Sequence, residues 1–310
     1  MERKKFALVG SGNIGGTLAH LIMERRLGDA VMVDIPEKEG IARAKALDLM
    51  EGQCLSDSES AIVGTSDYAA IKGADVVIIT AGVPRKPGMS RDDLLGVNSG
   101  IMKAVAPKIK KFAPKSFVIV VSNPLDVMVT LFKSVTEWPR SRIVGMAGVL
   151  DSARFRTFVA LEAGVCVKDI QALVLGGHGD TMVPLPRFSH VAGAPLTDLL
   201  DQNKLDAIIK RTRNAGTELV ELFGGTGSAF YSPAMSAIEM AEAYLFDQKR
   251  ILPCAAYLEG EYGVKGLFVG VPVLIGAKGI EKIIELNLNE QEKKDFDASV
   301  EHVRKMVEGL

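Results

Sequence analysis

The chain has 310 residues, of which 47% are hydrophobic, and its 37 basic and 38 acidic side chains leave a formal net charge of −1. This length is enough for one large domain or two ordinary domains with a buried core. The charges are balanced and scattered, which disfavours a nucleic-acid surface or a polybasic membrane patch, so we expect a small-molecule partner.

The apolar runs, the N-terminus and the cysteines indicate the cellular compartment of the protein. Runs such as SFVIVVSNP are too short to span a bilayer and are typical of buried strands. The N-terminus MERKKFALVGSG passes directly from charges into a strand, without the apolar core of a signal peptide, so we expect a cytoplasmic protein with no membrane partner. Cys54, Cys166 and Cys254 form no CxxC or metal-ligand pattern, and we expect buried, reduced thiols and no bound metal.

Strands and helices alternate through the first half of the chain. The predicted strands are KFALVG, AVMVDI, SAIVGT, ADVVIIT, SFVIVV and RIVGM. The predicted helices between them are IGGTLAHLIMERRL, IARAKALDLM, NSGIMKAVAPKIKKF and VMVTLFKSV. Continuous β-branched runs separated by helices indicate a parallel sheet covered on both faces. We therefore predict an α/β fold whose N-terminal domain, residues 1–147, is a doubly wound sheet of the Rossmann type.

The regular alternation of strands and helices ends in the second half of the chain, residues 148–310. An amphipathic helix through SARFRTFVALEAG is followed by short strand pieces around IQALVLGG and MVPLPRFSHVAG. Two long helices, two strands in PCAAYLEG and LFVGVPVLIG, and a charged terminal helix complete the chain. This mixture predicts a C-terminal α+β domain.

The first motif is VGSGNIGG, which places Gly10, Gly12 and Gly15 in GxGxxG spacing between a strand and a helix. Such glycines permit a tight turn, close approach of a pyrophosphate, and close packing of helix on strand. About twenty residues later, Asp34 ends the second strand, where a carboxylate binds the adenine ribose and repels a 2′-phosphate. The pattern favours NAD over NADP. A plain tight turn and a strand-end polar residue are the alternatives.

A second motif, VLGGHGDTMVPL, frames His178 with glycines that let ligands approach the ring. Histidine suits the removal of a hydroxyl proton near neutral pH, and such a ring needs a carboxylate partner. Asp180 is one candidate and Asp151 is another. Arg154 lies on the same helix face as Asp151 and could bind a substrate carboxylate, although an intrahelical ion pair is the alternative.

The loop GVPRKPGMSRDD follows the fourth strand, at the edge of the sheet where such folds bind ligands. Arg85 and Arg91 flank its proline and glycine residues. The composition favours a lid that closes over a substrate, and a solvated basic loop is the alternative.

Six segments together resemble the malate/lactate dehydrogenase family over almost the whole chain. They are VGSGNIGG, VDI, AGVPRKPGMSR, VSNPLD, GMAGVLDSARFR and GGHGDTMVPL, in the family's order and spacing. The resemblance implies reversible NAD-dependent hydride transfer, and PRKPGMSR is similar to the malate branch, which converts (S)-malate to oxaloacetate. A lactate or other 2-hydroxyacid dehydrogenase, and a non-catalytic NAD-binding sensor, are the rival interpretations.

The resemblance also implies residue roles. His178 would accept the proton with Asp151, rather than Asp180, as its partner, and Arg154 would bind the carboxylate beside the reacting carbon. Arg91 would polarise the carbonyl, and Asn123 would bind near the reacting oxygen. The residues expected to contact NAD are Gly10, Ser11, Gly12, Asn13, Ile14, Gly15, Asp34, Asn98, Val121, Ser122 and Asn123.

Arg85 is the predicted substrate selector, because the malate branch carries arginine here and the lactate branch glutamine. A second substrate carboxylate would pair with Arg85, whereas pyruvate would leave the guanidinium unpaired. Lys86 is the less favoured selector. Small residues at 227–229 would leave room for the larger acid. Family members are dimers or tetramers, and apolar helices after residue 150 suit a subunit interface, so we expect a homo-oligomer.

Overall fold

A computed structural model describes the chain at residues 3–83 and 91–309, with the side chains of residues 91 and 92 outside that description. The chain divides into two compact units that interleave along the sequence. Unit 1 contains the chain up to Gly145 together with Phe230–Arg250 and Ile275–Glu281. Unit 2 contains Met146–Ala229, Ile251–Leu274 and the chain from Lys282 onward. The simple domain boundary after residue 147 stays a prediction.

The sheet of unit 1 confirms the predicted doubly wound architecture. Its parallel strands are β1 (Lys5–Val9), β2 (Asp29–Val33), β3 (Ile62–Thr65), β4 (Val76–Ile79), β5 (Phe117–Val120) and β6 (Ile143–Gly145). They lie in the order β3-β2-β1-β4-β5-β6, and every neighbouring pair is parallel. Every residue of β4 and β5 is buried, as expected for strands that are covered on both faces.

Nine α-helices occur within the described ranges. They are α1 (Asn13–Glu24), α2 (Glu39–Ser56), α3 (Arg91–Phe112), α4 (Leu125–Thr136), α5 (Gly148–Ala163), α6 (Leu196–Leu199), α7 (Gln202–Leu222), α8 (Tyr231–Leu245) and α9 (Glu290–Glu308). In unit 1, α1 packs against α2 and α8, and α3 packs against α4. Helix α1 buries Leu18, Ala19 and Ile22, which share one face at helical spacing.

Unit 2 combines helices with β-strands. Its short strands are β7 (Ile170–Gln171), β8 (Val174–Leu175), β9 (Val183–Pro184), β10 (His190–Val191) and β11 (Ala194–Pro195). Most of the longer strands β12 (Arg250–Glu259) and β13 (Lys265–Gly276) also belongs to unit 2, whereas β14 (Gly279–Ile283) belongs mainly to unit 1. Strand β10 pairs with β7 and β11, and β8 pairs with β9. The core that supports α5 contains Phe155, Val159 and Ile170, which agrees with the predicted α+β composition.

The cysteines differ from expectation. None of the three forms a disulfide, but only Cys254 is buried, and the expectation that Cys54 and Cys166 are buried is wrong. Cys54 lies near the end of α2, which buries only Ala42 and Ala46, and Cys166 follows α5 in a surface connection. Within residues 3–83 and 91–309, no helix combines the length and apolar character needed to cross a membrane.

Candidate active site

The glycine-rich turn lies between β1 and α1, as the sequence predicts. Gly10 has φ +110°, and a Cβ built on Gly15 would lie 2.0 Å from the carbonyl oxygen of Gly10. Larger residues at these two positions would therefore collide with the backbone or strain it. A Cβ on Gly12 would meet no atom within 4 Å, so this side of the turn is open. The open side of the turn and the N–H groups at the N-terminus of α1 suit a phosphate.

Asp34 is fixed to this turn by hydrogen bonds. Its Oδ2 accepts from the backbone N–H of Ser11 at 2.7 Å and from the Ser11 hydroxyl at 2.6 Å, and its Oδ1 accepts from the N–H of Ile35 at 2.9 Å. Burial alone would raise the pKa of Asp34, but these hydrogen bonds and the charge of Lys38 hold the pKa below its usual value. Asp34 is therefore an oriented carboxylate that retains acceptor capacity on Oδ1.

The loops that follow β4 and β5 are joined by Asn98. This buried side chain of α3 accepts from the N–H of Val83 at 2.8 Å, and its Nδ2 donates to the carbonyl oxygens of Val83 at 3.2 Å and Asn123 at 2.7 Å. The Ser122 hydroxyl donates to the carbonyl oxygen of Ala81 at 2.6 Å. The structure thus brings Asn98, Ser122 and Asn123 together at the carboxyl edge of the sheet. The Asn98 amide is engaged with the protein backbone, so it orients these loops.

In unit 2, the structure pairs His178 with Asp151. Asp151 lies in the first turn of α5 and is buried, and its Oδ2 is 2.8 Å from Nδ1 of His178. Its Oδ1 accepts from Nη1 of Arg154 at 3.2 Å, one helical turn further along. Asp151 therefore serves both the histidine and the intrahelical ion pair. The helix N-terminus adds a favourable potential for its negative charge.

Two further polar atoms of the site are Nε2 of His178 and Nε of Arg154. Nδ1 of His178 is the ring nitrogen that contacts Asp151. Proton exchange with a substrate would therefore use the other ring nitrogen, Nε2. A Cβ on the neighbouring Gly179 would meet no atom within 4 Å, so the glycine leaves space beside the ring. In the described part of the chain, the buried Nε of Arg154 has no hydrogen-bond partner. A guanidinium with a free donor beside a histidine is suited to a carboxylate ligand.

Some predicted residues cannot be placed. Arg85 and Lys86 lie outside the described residues, and Arg91 is described only as the first residue of α3. Their roles stay predictions. Among the described residues, no group of three or more His, Cys, Asp or Glu side chains could hold a metal ion.

Two residues that support the predicted ones were not predictable from the sequence. Lys45 of α2 donates to the carbonyl oxygens of Ser11 and Gly12, both at 2.8 Å. The Ser299 hydroxyl of α9 accepts from the N–H of Gly177 at 2.9 Å, next to His178. Both contacts join positions that are distant in the chain, and no local pattern around either residue indicates them.

Comparison with known proteins gives one family for both halves of the chain. Residues 4–145 match the NAD binding domain of lactate/malate dehydrogenase, and residues 148–309 match the alpha/beta C-terminal domain of lactate/malate dehydrogenase. Malate dehydrogenase 1 of Anaeromyxobacter dehalogenans (strain 2CP-C) is 59% identical over 308 residues, covering 99% of this chain and 98% of that protein.

Solved structures agree in fold and include both branches of the family. The crystal structure of Cryptosporidium parvum malate dehydrogenase matches with a TM-score of 0.95 at 47% identity, covering 99% of this chain and 98% of that chain. The lactate dehydrogenase of the same organism, complexed with lactic acid and nicotinamide adenine dinucleotide, matches with a TM-score of 0.95 at 45% identity and the same coverage. The chain therefore belongs to the lactate/malate dehydrogenase family of NAD-dependent oxidoreductases.

Proposed function

We propose that this chain catalyses the reversible, NAD-dependent oxidation of (S)-malate to oxaloacetate. The observation that carries the proposal is the contact of 2.8 Å between His178 and the buried Asp151, with Arg154 bound to the same carboxylate. An imidazole held by a carboxylate can exchange a proton near neutral pH. An adjacent guanidinium can bind the carboxylate that every 2-hydroxyacid carries.

The proton step follows from the orientation of the histidine. Asp151 holds Nδ1 of His178, so Nε2 takes the proton of the substrate hydroxyl, and the resulting imidazolium is stabilised by the negative charge of Asp151. In the reverse direction, protonated His178 returns the proton to the carbonyl oxygen of oxaloacetate. Arg154 pairs with the carboxylate next to the reacting carbon, and Arg91 is proposed to polarise the carbonyl.

The cofactor would be held by the turn at residues 10–15 and by Asp34. The open side of Gly12 and the oriented carboxylate of Asp34 fit a dinucleotide that has a pyrophosphate and free ribose hydroxyls. Asn98, Val121, Ser122 and Asn123 would line the nicotinamide side. When bound, NAD supplies the acceptor for the hydride that leaves the substrate carbon.

Individual residues, and not the overall fold, indicate that malate is the substrate. Malate and lactate dehydrogenases both resemble this chain, so overall similarity does not select the substrate. Arg85 in PRKPGMSR supports the dicarboxylate, and the identity of 59% to a malate dehydrogenase agrees with it. A lactate or other 2-hydroxyacid dehydrogenase is the second candidate. A non-catalytic NAD sensor is disfavoured, because cofactor binding alone requires no proton-transfer pair.

Isotope transfer tests the proposed reaction. The protein is incubated with NAD+ and (S)-malate that carries deuterium on its hydroxyl-bearing carbon, and the reduced cofactor is analysed by mass spectrometry. We expect one deuterium in each reduced cofactor, because the hydride passes directly from that carbon. Reduction without deuterium, or no reduction, would contradict the proposal.

The Asp151→Asn variant tests the histidine partner. We expect kcat to fall by about 10³-fold to 10⁴-fold, because the amide can fix the wrong imidazole tautomer and does not stabilise the imidazolium. Steady-state malate oxidation measures the effect. Asp180→Asn is the matched control, since it neutralises the carboxylate two residues after His178, and we expect its kcat to stay within about tenfold of wild type. A larger effect of Asp180→Asn than of Asp151→Asn would assign the partner role to Asp180.

We also propose a homo-oligomer. Large apolar side chains are exposed on α2, where Leu47 and Leu55 are 57% and 88% accessible, and on α8, where Tyr231 and Met235 are 65% and 51% accessible. Exposed apolar groups on two helices of one unit favour contact with a second copy. Light scattering after gel filtration should give a dimer or tetramer. The double variant Leu47→Lys/Met235→Lys should form an assembly of lower molar mass. A monomeric wild type would refute the proposal.

The cysteines support the expected compartment. Cys54 and Cys166 are exposed and free, which suits a reducing compartment such as the cytoplasm. A cytoplasmic location is therefore retained as part of the proposal.

A further inference from the structure

Lys45 extends from α2 across the first turn of α1. A Cβ built on Gly16 would lie 3.2 Å from Cδ of Lys45 and 3.3 Å from its Nζ, so the lysine stem occupies the space that a side chain at residue 16 would take. Burial lowers the pKa of Lys45, while the negative charge of Asp34 opposes that shift. The ammonium group is thus partly buried against the glycine-rich turn.

The ammonium group holds two successive carbonyls of that turn. Nζ donates to the carbonyl oxygens of Ser11 and Gly12, each at 2.8 Å. Each carbonyl shares a planar peptide group with the next N–H, so these contacts fix the peptides that carry the N–H groups of Gly12 and Asn13. In a trans peptide the N–H points away from the carbonyl oxygen. A cation on the oxygen also polarises the amide and strengthens the N–H as a donor.

Ser11 is therefore held from two sides by opposite charges. Asp34 accepts from its N–H and hydroxyl at 2.7 and 2.6 Å, and Lys45 donates to its carbonyl oxygen. The N–H groups of Gly12 and Asn13 lie where the helix begins, and the first N–H groups of a helix have no intrahelical partners. These are donors of the kind that bind a phosphate at a helix N-terminus.

We propose that Lys45 is a positioning residue for the pyrophosphate of the cofactor: it anchors the carbonyls of Ser11 and Gly12 so that the next two N–H groups are fixed to receive the phosphates. The inference rests on the cofactor role proposed for this turn. Lys45 acts through the backbone. Its loss should therefore weaken the binding of ligands that contain the pyrophosphate and leave the binding of adenosine unaffected.

Binding to the cofactor-free protein tests this role. The test variant is Lys45→Met, which keeps an unbranched stem against Gly16 and removes the charge. Arg43→Met is the matched control, because Arg43 is an exposed residue of the same helix and the variant has the same net charge. Dissociation constants are measured for NADH by its fluorescence, and for ADP-ribose and adenosine by displacement of NADH. Saturating kcat is measured in parallel.

For Lys45→Met we expect about tenfold weaker binding of NADH and ADP-ribose, with adenosine binding and saturating kcat changed by less than about twofold. Arg43→Met should bind all three ligands as wild type does. An equal loss for adenosine and ADP-ribose would show a general distortion and overturn the inference, as would unchanged binding of ADP-ribose. If Lys45→Met does not fold, the same constants are measured for Lys45→Gln, and the same selective loss of binding is expected.

The two proposals fail in different ways. If wild-type protein does not bind NADH, the cofactor role of the turn is wrong and the inference falls with it. If wild-type protein binds NADH and Lys45→Met binds it equally well, only the role of Lys45 is wrong.

Discussion

Replacing His178 with asparagine is expected to lower kcat for malate oxidation by about 10³-fold, within the range that a positioned general base contributes. Asparagine can still hydrogen-bond to Asp151, whose Oδ2 lies 2.8 Å from Nδ1 of the histidine, but it has no group that accepts a proton near neutral pH. The loss should therefore lie in the chemical step. NADH formation at saturating malate and NAD+ measures it.

Two controls separate chemistry from folding in this experiment. The dissociation constant for NADH should stay within about twofold of wild type, because the proposed cofactor residues lie in the other unit. His190→Asn makes the same substitution at an exposed position in β10 and should leave kcat unchanged. A His178→Asn enzyme with kcat within about tenfold of wild type would refute the assigned role.

Arg85→Gln is expected to abolish the preference for oxaloacetate over pyruvate. In the proposed complex, the second carboxylate of oxaloacetate would pair with Arg85, whereas pyruvate would leave the guanidinium without a partner. Such an unpaired charge costs about 3–5 kcal/mol, which corresponds to a discrimination of about 10²-fold to 10⁴-fold. Glutamine removes this penalty for pyruvate and the attraction for oxaloacetate.

The ratio of kcat/KM for oxaloacetate to that for pyruvate measures the effect. It should fall by at least about 10²-fold in Arg85→Gln. Lys86→Gln removes the same charge at the adjacent position and should leave the ratio nearly unchanged. If the Lys86 variant alone changed the ratio, Lys86 would be the selector, and if neither did, specificity would have another origin.

The periodicity of the sequence was sufficient to predict most of the fold. Continuous apolar runs gave β4 and β5, and glycine spacing placed the turn between β1 and α1. The strand β14 was not predicted, because its sequence GIEKI is short and mixes charged with apolar residues. The packing of α8 in unit 1 was also not predictable, since it depends on distant contacts such as the ion pair of 2.9 Å between Arg25 and Glu242.

The candidate site was predictable where its geometry is local. Helical spacing alone put Asp151 and Arg154 on one face, and the structure joins them at 3.2 Å. The choice between Asp151 and Asp180 depended on family resemblance, because the contact of Asp151 with His178 is tertiary. The contacts of Lys45 with Ser11 and Gly12 are also tertiary, so the sequence alone does not indicate them. The exposure of Cys54 and Cys166 was predicted wrongly, because the apolar preference of a thiol does not reveal which face of a helix it occupies.

The most direct measurement is the steady-state oxidation of NADH by the wild-type protein, with oxaloacetate and pyruvate compared at equal concentrations. A malate dehydrogenase that selects its substrate through Arg85 should use oxaloacetate with a kcat/KM at least about 10²-fold higher than that for pyruvate. Equal use of the two acids, or a preference for pyruvate, would contradict the proposed substrate, and no oxidation of NADH with either acid would contradict the proposed reaction.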